Sequence, residues 1–250
     1  MADFEGIKDR YEIEWGIFSL VEFIVSERNN LGTGYKKALD IGSGQGVHSK
    51  ILTAAGLKVF KLDMYSDDVE YKVDFIKHNF EEKFDVIFCS HVIEHQRNVG
   101  NFLDKIYDIM EDNAVLILTA PKHKAENLIE GHLNCFFTSY FCQHLIHAGF
   151  DIKKGKYLSC GGIENSAIVS KARNFDLSER SDNGYVWTEK HKERCPFPLK
   201  NQEISTLSFF HNSIIFTSKG ENNISITLPD KYQKLGIIIE ATRWNFRIEI

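Results

Sequence analysis

Apolar residues recur at steps of three and four through residues 4–28, where Ile7, Tyr11, Trp15, Phe18, Val21 and Val25 fall on one helical face. Beyond that opening helix the pattern shortens. "KKALDIG", "LKVFKLD", "DVEYKVD", "KFDVIFCS" and "NAVLILTAP" are brief runs bounded by Gly, Asp, Asn or Pro, several of them too apolar to be half-exposed strands. Helical patterns lie between most of them: "GVHSKILTAAG", "NVGNFLDKIYDIME" and "TSYFCQHLIHAGF". Strands alternating with helices predict an α/β fold, a doubly wound and mostly parallel sheet with helices on both faces. One link is irregular, since the few residues between Asp63 and Val69 are too short for a crossover helix. Either the third run is not a neighbouring parallel strand, or the sheet is trimmed there. "DIKKGKYLS" and "SAIVSKA" are expected to form an antiparallel pair that closes the sheet near residue 172.

From about Asn174 the chain turns polar and then alternates, which predicts a small β-rich extension with turns near His211–Asn212 and Gly220–Asn222. The expected division is residues 1–173 as the α/β domain and 174–250 as the extension, whose role as a cap over the site, a homodimer contact or an acceptor-binding element stays open.

Composition narrows the partners. The 250 residues are 43% hydrophobic and 26% charged, as in an ordinary globular protein. A formal net charge of -5 with scattered lysines and arginines offers no footprint for wrapping nucleic acid or lying on an anionic membrane, so a small-molecule partner is favoured. No apolar run reaches the length of a membrane span, and the first residues lack the regions of a signal peptide, so a cytoplasmic protein is expected. Five cysteines without C-x-x-C spacing read as reduced thiols, Cys89 as a small buried one.

"ALDIGSGQG", residues 38–46, puts Asp40 at the end of the first strand and glycines at 42, 44 and 46 in the turn that opens the next helix. Bare backbone there permits positive φ and close approach of a ligand. A dinucleotide fingerprint wants its third glycine at position 47, which is Val47. The acidic-x-G-x-G-x-G order instead resembles the class I S-adenosylmethionine-dependent methyltransferases. That resemblance implies a seven-stranded, Rossmann-like sheet and a cofactor site lined by Asp40, Gly42, Ser43, Gly44 and Ser90. Asp63, 23 residues beyond Asp40, is placed to accept the ribose hydroxyls, Met64 to lie against the adenine, and Asp74 either to bond the adenine amino group or to serve as a turn residue. The likeness extends through "CSHVIEH", "AVLILTAP" and "GHLNCFFTSYFCQHLIHAGF", which are similar to the branch of ubiquinone-type and bacterial tailoring methyltransferases, over roughly residues 36–172.

"HVIEH" also matches H-x-x-E-H, the ligand pattern of inverted zinc peptidases, but a peptidase has no use for a glycine-rich nucleotide turn after strand one. If residues 91–95 turn helical, His91, Glu94 and His95 share a face at the carboxyl edge of the sheet, with His132 near enough to add a fourth ligand for Zn, Fe, Mn or Co. The small-RNA terminal 2′-O-methyltransferases carry a similar E-x-x-E-H and a later histidine around a divalent metal; Glu94, His95 and His132 match, and His91 replaces a glutamate. Two chemistries stay open: a metal that acidifies an acceptor hydroxyl, or His95 or His91 as general base with Glu94 setting the tautomer. The expected activity is O-methylation of a small metabolite, sugar or phosphorylated polysaccharide precursor. RNA methylation, N-methylation without metal, and a cofactor-binding module without turnover are the alternatives.

Overall fold

The computed structural model describes residues 15–122, 127–160, 164–181 and 187–195, together with strand segments 215–218, 224–227, 239–240 and 247–248. Its centre is a sheet in the order β2-β1-β3-β4-β6-β5, built from β1 (Lys37–Ile41), β2 (Lys58–Leu62), β3 (Phe84–Ser90), β4 (Met110–Pro121), β5 (Lys156–Cys160) and β6 (Glu164–Ser170). The first four run parallel. β6 returns antiparallel to β4, and β5 to β6, which is the closing pair expected from the sequence.

Alternation along the strands divides the core. Val86 and Phe88 of β3 face α1 (Ile17–Glu27) and α2 (Val47–Ala54), packing with Leu20, Phe23 and Leu52. Ile87 and Cys89 face the other way, onto α3 (Val99–Ile109) and α4 (Thr138–His147) through Phe102, Ile106, Phe141 and Leu145. Burial on both faces is why these strands read as nearly unbroken apolar runs. β1 lies between β2 and β3, so the chain winds outward after β1 and returns on its other side, opening a crevice at the carboxyl ends of β1 and β3.

Three expectations change. Residues 1–14 of the opening helix lie outside the described residues, and α1 begins at Ile17 because Gly16 turns left-handed, with φ +94°. A Cβ at Gly16 would fall 2.6 Å from Ser90 Oγ, so the helix starts where the chain crosses the end of β3. The buried residues of α1 are Ser19, Leu20, Val21, Glu22 and Phe23, so of the expected face Val21 is buried while Phe18 and Val25 are only partly covered.

Second, the sheet has six strands among the described residues, not seven. The run "DVEYKVD" makes one bridge, Tyr71 to Leu62, because the link after Asp63 is too short to lay down a parallel neighbour. It is held instead by Phe75, packed at 5.1 Å on Phe102, and by the Lys61 amide, which donates to Glu70 Oε2.

Third, the described residues between 174 and 195 include a 3-10 turn (Leu177–Ser181) and α5 (Glu189–Arg194), which packs against α4. Buried Arg194 donates to Glu179 Oε2 at 2.6 Å, to the Ile146 carbonyl and to Asn174 Oδ1, so each of these guanidinium nitrogens has a partner and the charge is paired. β character appears later: β7 (Ile215–Ser218) pairs antiparallel with β8 (Ile224–Thr227), and β9 (Ile239–Glu240) pairs with β10 (Arg247–Ile248). The turns expected near 211–212 and 220–222 lie outside the described residues. Cys89, Cys135, Cys142 and Cys195 form no disulfide among the described residues. Among the described residues no helix is long and apolar enough to cross a membrane.

Candidate active site

Strand β1 ends in the glycine turn. Gly42 and Ser43 donate their amides to the Leu62 carbonyl, tying the turn to the end of β2. Gly42 has φ +74°, and a Cβ there would meet Val92 Cγ2 at 2.3 Å, so backbone and space both demand glycine. Gly44, with φ +52°, has nothing within 4 Å of its absent Cβ and presents open backbone. Ser43 is buried, yet its Oγ has no hydrogen-bond partner among the described residues. An open turn with an unsatisfied buried hydroxyl is suited to a polar ligand. Asp40 is used differently: its carboxylate accepts from Ser49 Oγ at 2.5 Å, bracing the end of β1 against α2.

Asp63 lies where the sequence places it, at the end of β2. Burial pushes its carboxyl up, but amide hydrogen bonds from Tyr65, Ser66 and Gly44 outweigh that and hold it below the ordinary carboxylate value. Oδ1 accepts the Tyr65 and Ser66 amides and Oδ2 accepts Gly44 N–H at 3.0 Å. Met64 and Tyr65 beside it are exposed. Asp74 closes its own turn, accepting the Ile76 amide at 2.9 Å with Lys77 Nζ at 3.3 Å, so its carboxylate is occupied locally as a turn residue. Ser90 is likewise engaged, donating to the Trp15 carbonyl and accepting from Thr119 Oγ1.

After β3 the chain does not enter the helix expected for residues 91–95. His91 N–H donates to the Thr119 carbonyl, extending the β3–β4 ladder by one residue, and φ at His91 is +53°. A left-handed histidine carries strain of roughly 1–3 kcal/mol. Only Ile93–His95 then form a 3-10 turn, and His91 leaves the face shared by Glu94 and His95. Its ring stacks on Trp15, with centroids 5.4 Å apart, and Nε2 lies 3.2 Å from Glu164 Oε2. Glu164, at the first position of β6, was not marked from the sequence. An acid opening an apolar strand on an inward-facing position was the available signal.

Glu94, His95 and His132 do come together. Their ligand atoms lie within 4.8 Å of one another, and His91 is not in the group. Glu94 is 1% exposed and neither carboxylate oxygen accepts a hydrogen bond among the described residues. Burial pushes its carboxyl above the ordinary value, against the attraction of His91 and His95 and with the repulsion of Glu164. His95 Nδ1 donates to the Gly131 carbonyl at 2.8 Å, which fixes the tautomer and leaves Nε2 as the lone-pair nitrogen, 3.6 Å from Glu94 Oε1. The His132 ring stands edge-on to His95 at 5.0 Å. An unsatisfied buried carboxylate with two imidazoles, one oriented through its other nitrogen by a carbonyl, fits a divalent cation.

Asn134 explains how two distant segments meet. Its side-chain amide donates to the Glu94 and Gln96 carbonyls at 3.2 and 2.7 Å, while the backbone amides of Leu133 and Asn134 also donate to the Glu94 carbonyl. Asn134→Ala is expected to lower stability by about 1–2 kcal/mol through two lost hydrogen bonds, read from the denaturant midpoint. An unchanged midpoint would mean that the main-chain bonds hold the loop alone.

Comparison with known proteins bears on the family and the fold. The family described as "Methyltransferase domain" matches residues 17–154. The ubiquinone biosynthesis O-methyltransferase of Rickettsia canadensis (strain McKiel) is 26% identical over 127 residues, covering 45% of this chain and 53% of that protein. The protein of the same name from Glaesserella parasuis serovar 5 (strain SH0165) is 26% identical over 123 residues, covering 41% and 52%. The chain thus spans about half the length of these curated relatives. Among solved structures, the Burkholderia thailandensis 1,6-didemethyltoxoflavin-N1-methyltransferase, crystallised with that substrate and S-adenosylhomocysteine, superposes with a TM-score of 0.53 at 13% identity, over 68% of this chain and 84% of that one. A SAM-dependent methyltransferase from Aquifex aeolicus gives 0.51 at 16% identity, over 68% and 97%. These superpositions carry the fold, and the match across more than half of the 250 residues carries the assignment: the chain belongs to the methyltransferase-domain family.

Proposed function

We propose that the protein transfers a methyl group from S-adenosylmethionine to a hydroxyl of a small acceptor, a metabolite, sugar or phosphorylated sugar-polymer precursor, with a divalent cation at Glu94, His95 and His132. The observation that carries this reading is Glu94, a buried carboxylate without hydrogen-bond partners among the described residues, grouped with two imidazoles directly after β3. The O-methyltransferase names of the relatives support a hydroxyl acceptor, and the formal charge of -5 disfavours a polyanion such as RNA.

The cofactor supplies an activated methyl on a sulfonium. In the transfer the acceptor oxygen–carbon bond forms as the sulfur–carbon bond breaks, a neutral thioether leaves, and the hydroxyl proton passes to solvent. A cation held by Glu94, His95 and His132 would supply a Lewis acid that lowers the pKa of the hydroxyl. The chain's own residues align the reactants, which is most of the catalytic task in an in-line displacement. The Gly42–Gly44 backbone and Ser43 Oγ would line the cofactor, and Asp63 would accept from its ribose. His95 Nε2 is aimed by the Gly131 carbonyl, and Trp15 covers His91 from the amino-terminal side.

Calorimetric titration with S-adenosylmethionine, together with metal analysis of the purified protein, tests the proposal. Micromolar cofactor binding with one cation per chain is expected. Absent cofactor binding would overturn it, and cofactor binding without any cation response would leave His95 Nε2 as the general base.

Asp63→Ala is expected to weaken cofactor binding by about 1.5–3 kcal/mol through lost charge-assisted hydrogen bonds and a loosened turn. Because the folded-state value of Asp63 lies below the ordinary one, its contribution is complete above the ordinary carboxylate range and is lost as pH falls through the depressed value. Cofactor affinity should therefore hold from pH 7 down to about pH 4 and decline below that. A decline beginning near pH 6 would point to another group.

A further inference from the structure

The first position of the H-x-x-E-H motif departs from the pattern it resembles, and the structure shows where that side chain goes. His91 Nε2 lies 3.2 Å from Glu164 Oε2, and Glu164 is 1% exposed, its other oxygen accepting from Ser166 Oγ at 2.9 Å. Trp15 covers one face of the imidazole. The left-handed backbone at residue 91, fixed by the hydrogen bond to the Thr119 carbonyl, directs the ring toward β6 rather than toward His95 and His132. Its remaining nitrogen, Nδ1, is 3.6 Å from Glu94 Oε1, the oxygen that His95 Nε2 also faces, yet His91 is not among the residues whose ligand atoms converge.

We infer that, among the described residues, the cation is held by Glu94, His95 and His132, and that His91 and Glu164 form an outer pair that positions Glu94, so that the site selects imidazole-favouring transition ions over Mg2+. This rests on the reading that the cluster holds a cation. Two imidazoles and a single carboxylate supply one negative charge and nitrogen-rich ligation. That set suits Zn2+, Co2+ or Fe2+, whereas Mg2+ favours an octahedral shell of oxygens. A glutamate at position 91 would have supplied a second carboxylate; the histidine gives that up and stays outside the shell.

Cobalt serves as the probe, because its visible absorption reports ligand number and type independently of turnover. The wild-type chain is expected to bind one Co2+, displaced by Zn2+ and not by millimolar Mg2+. His91→Asn, whose side chain tolerates a left-handed backbone, should keep the band position and intensity while affinity falls by about 10- to 100-fold, the range of an outer partner. His95→Ala should lose the band. Glu164→Gln, which leaves the imidazole in place, should also keep the band with weaker affinity, and near-UV circular dichroism reports the fold of each variant. If His91→Asn abolishes the band as His95→Ala does, or if Glu164→Gln changes its shape, His91 is a ligand and the inference fails while the cation reading stands. Displacement of Co2+ by Mg2+ at comparable concentration overturns the selectivity. A wild-type chain that binds no Co2+ or Zn2+ removes the cation reading itself.

Discussion

His95→Ala is expected to lower kcat by about 10²- to 10⁴-fold, the range for loss of a group that handles a proton or its equivalent in the transition state. The reason lies in the geometry of one ring. Its Nδ1 is committed to the Gly131 carbonyl, so Nε2 is presented as a lone pair beside Glu94 Oε1 before any substrate arrives. The imidazole is partly exposed and lies outside the apolar core, so the variant should fold normally. Single-turnover assays with labelled S-adenosylmethionine would measure the loss, and cofactor affinity by calorimetry would separate it from a binding defect. A kcat within threefold of wild type would place the chemistry elsewhere on the carboxyl edge.

The second large effect concerns Glu94, where stability and function pull apart. A buried carboxylate whose oxygens accept no hydrogen bond among the described residues costs free energy in the metal-free chain. Burial raises its folded-state value, so the native form holds a proton that the unfolded chain has released. The native state therefore binds more protons, and stability falls as pH rises from the ordinary carboxylate range toward the raised value. Glu94→Leu should remove that slope and stabilise the metal-free protein at pH 8 by about 1–3 kcal/mol, while abolishing cation binding and transfer. Denaturant melts at pH 5 and pH 8 would show the wild-type difference vanish in the variant. A variant less stable than wild type at pH 8 would mean that the carboxylate is satisfied in the folded chain.

The parts of the site carried by local backbone rules were legible in the sequence. Gly42, Gly44 and Gly46 all have positive φ, as their spacing after an apolar strand required, and Asp63 closes the next strand. Ile87 and Cys89 facing one helical layer, with Val86 and Phe88 facing the other, explain why the buried runs were visible as strands. What could not be read was set by contacts distant along the chain. His91 shares a helical face with Glu94 and His95 only if the helix begins at once. The Thr119 carbonyl, 28 residues on, holds it in the sheet instead. Glu164 enters the site from 73 residues away, and no spacing rule connects it to His91. The same limit applies to Asp40 and Ser90. Both lie where the motif puts them, but their oxygens are committed to Ser49 and to Trp15 and Thr119.

The short link after Asp63 has one more outcome. With no full strand beyond it among the described residues, β2 is the last member of the described sheet on that side, and an unpaired strand edge invites pairing with another chain. Here the Lys61 amide is taken by Glu70 and the Lys61 carbonyl by Tyr71, while lysines at 58 and 61 stud the rim. A carboxylate and a single bridge do the guarding that a seventh strand would otherwise provide, and they keep this rim from becoming a template for aggregation.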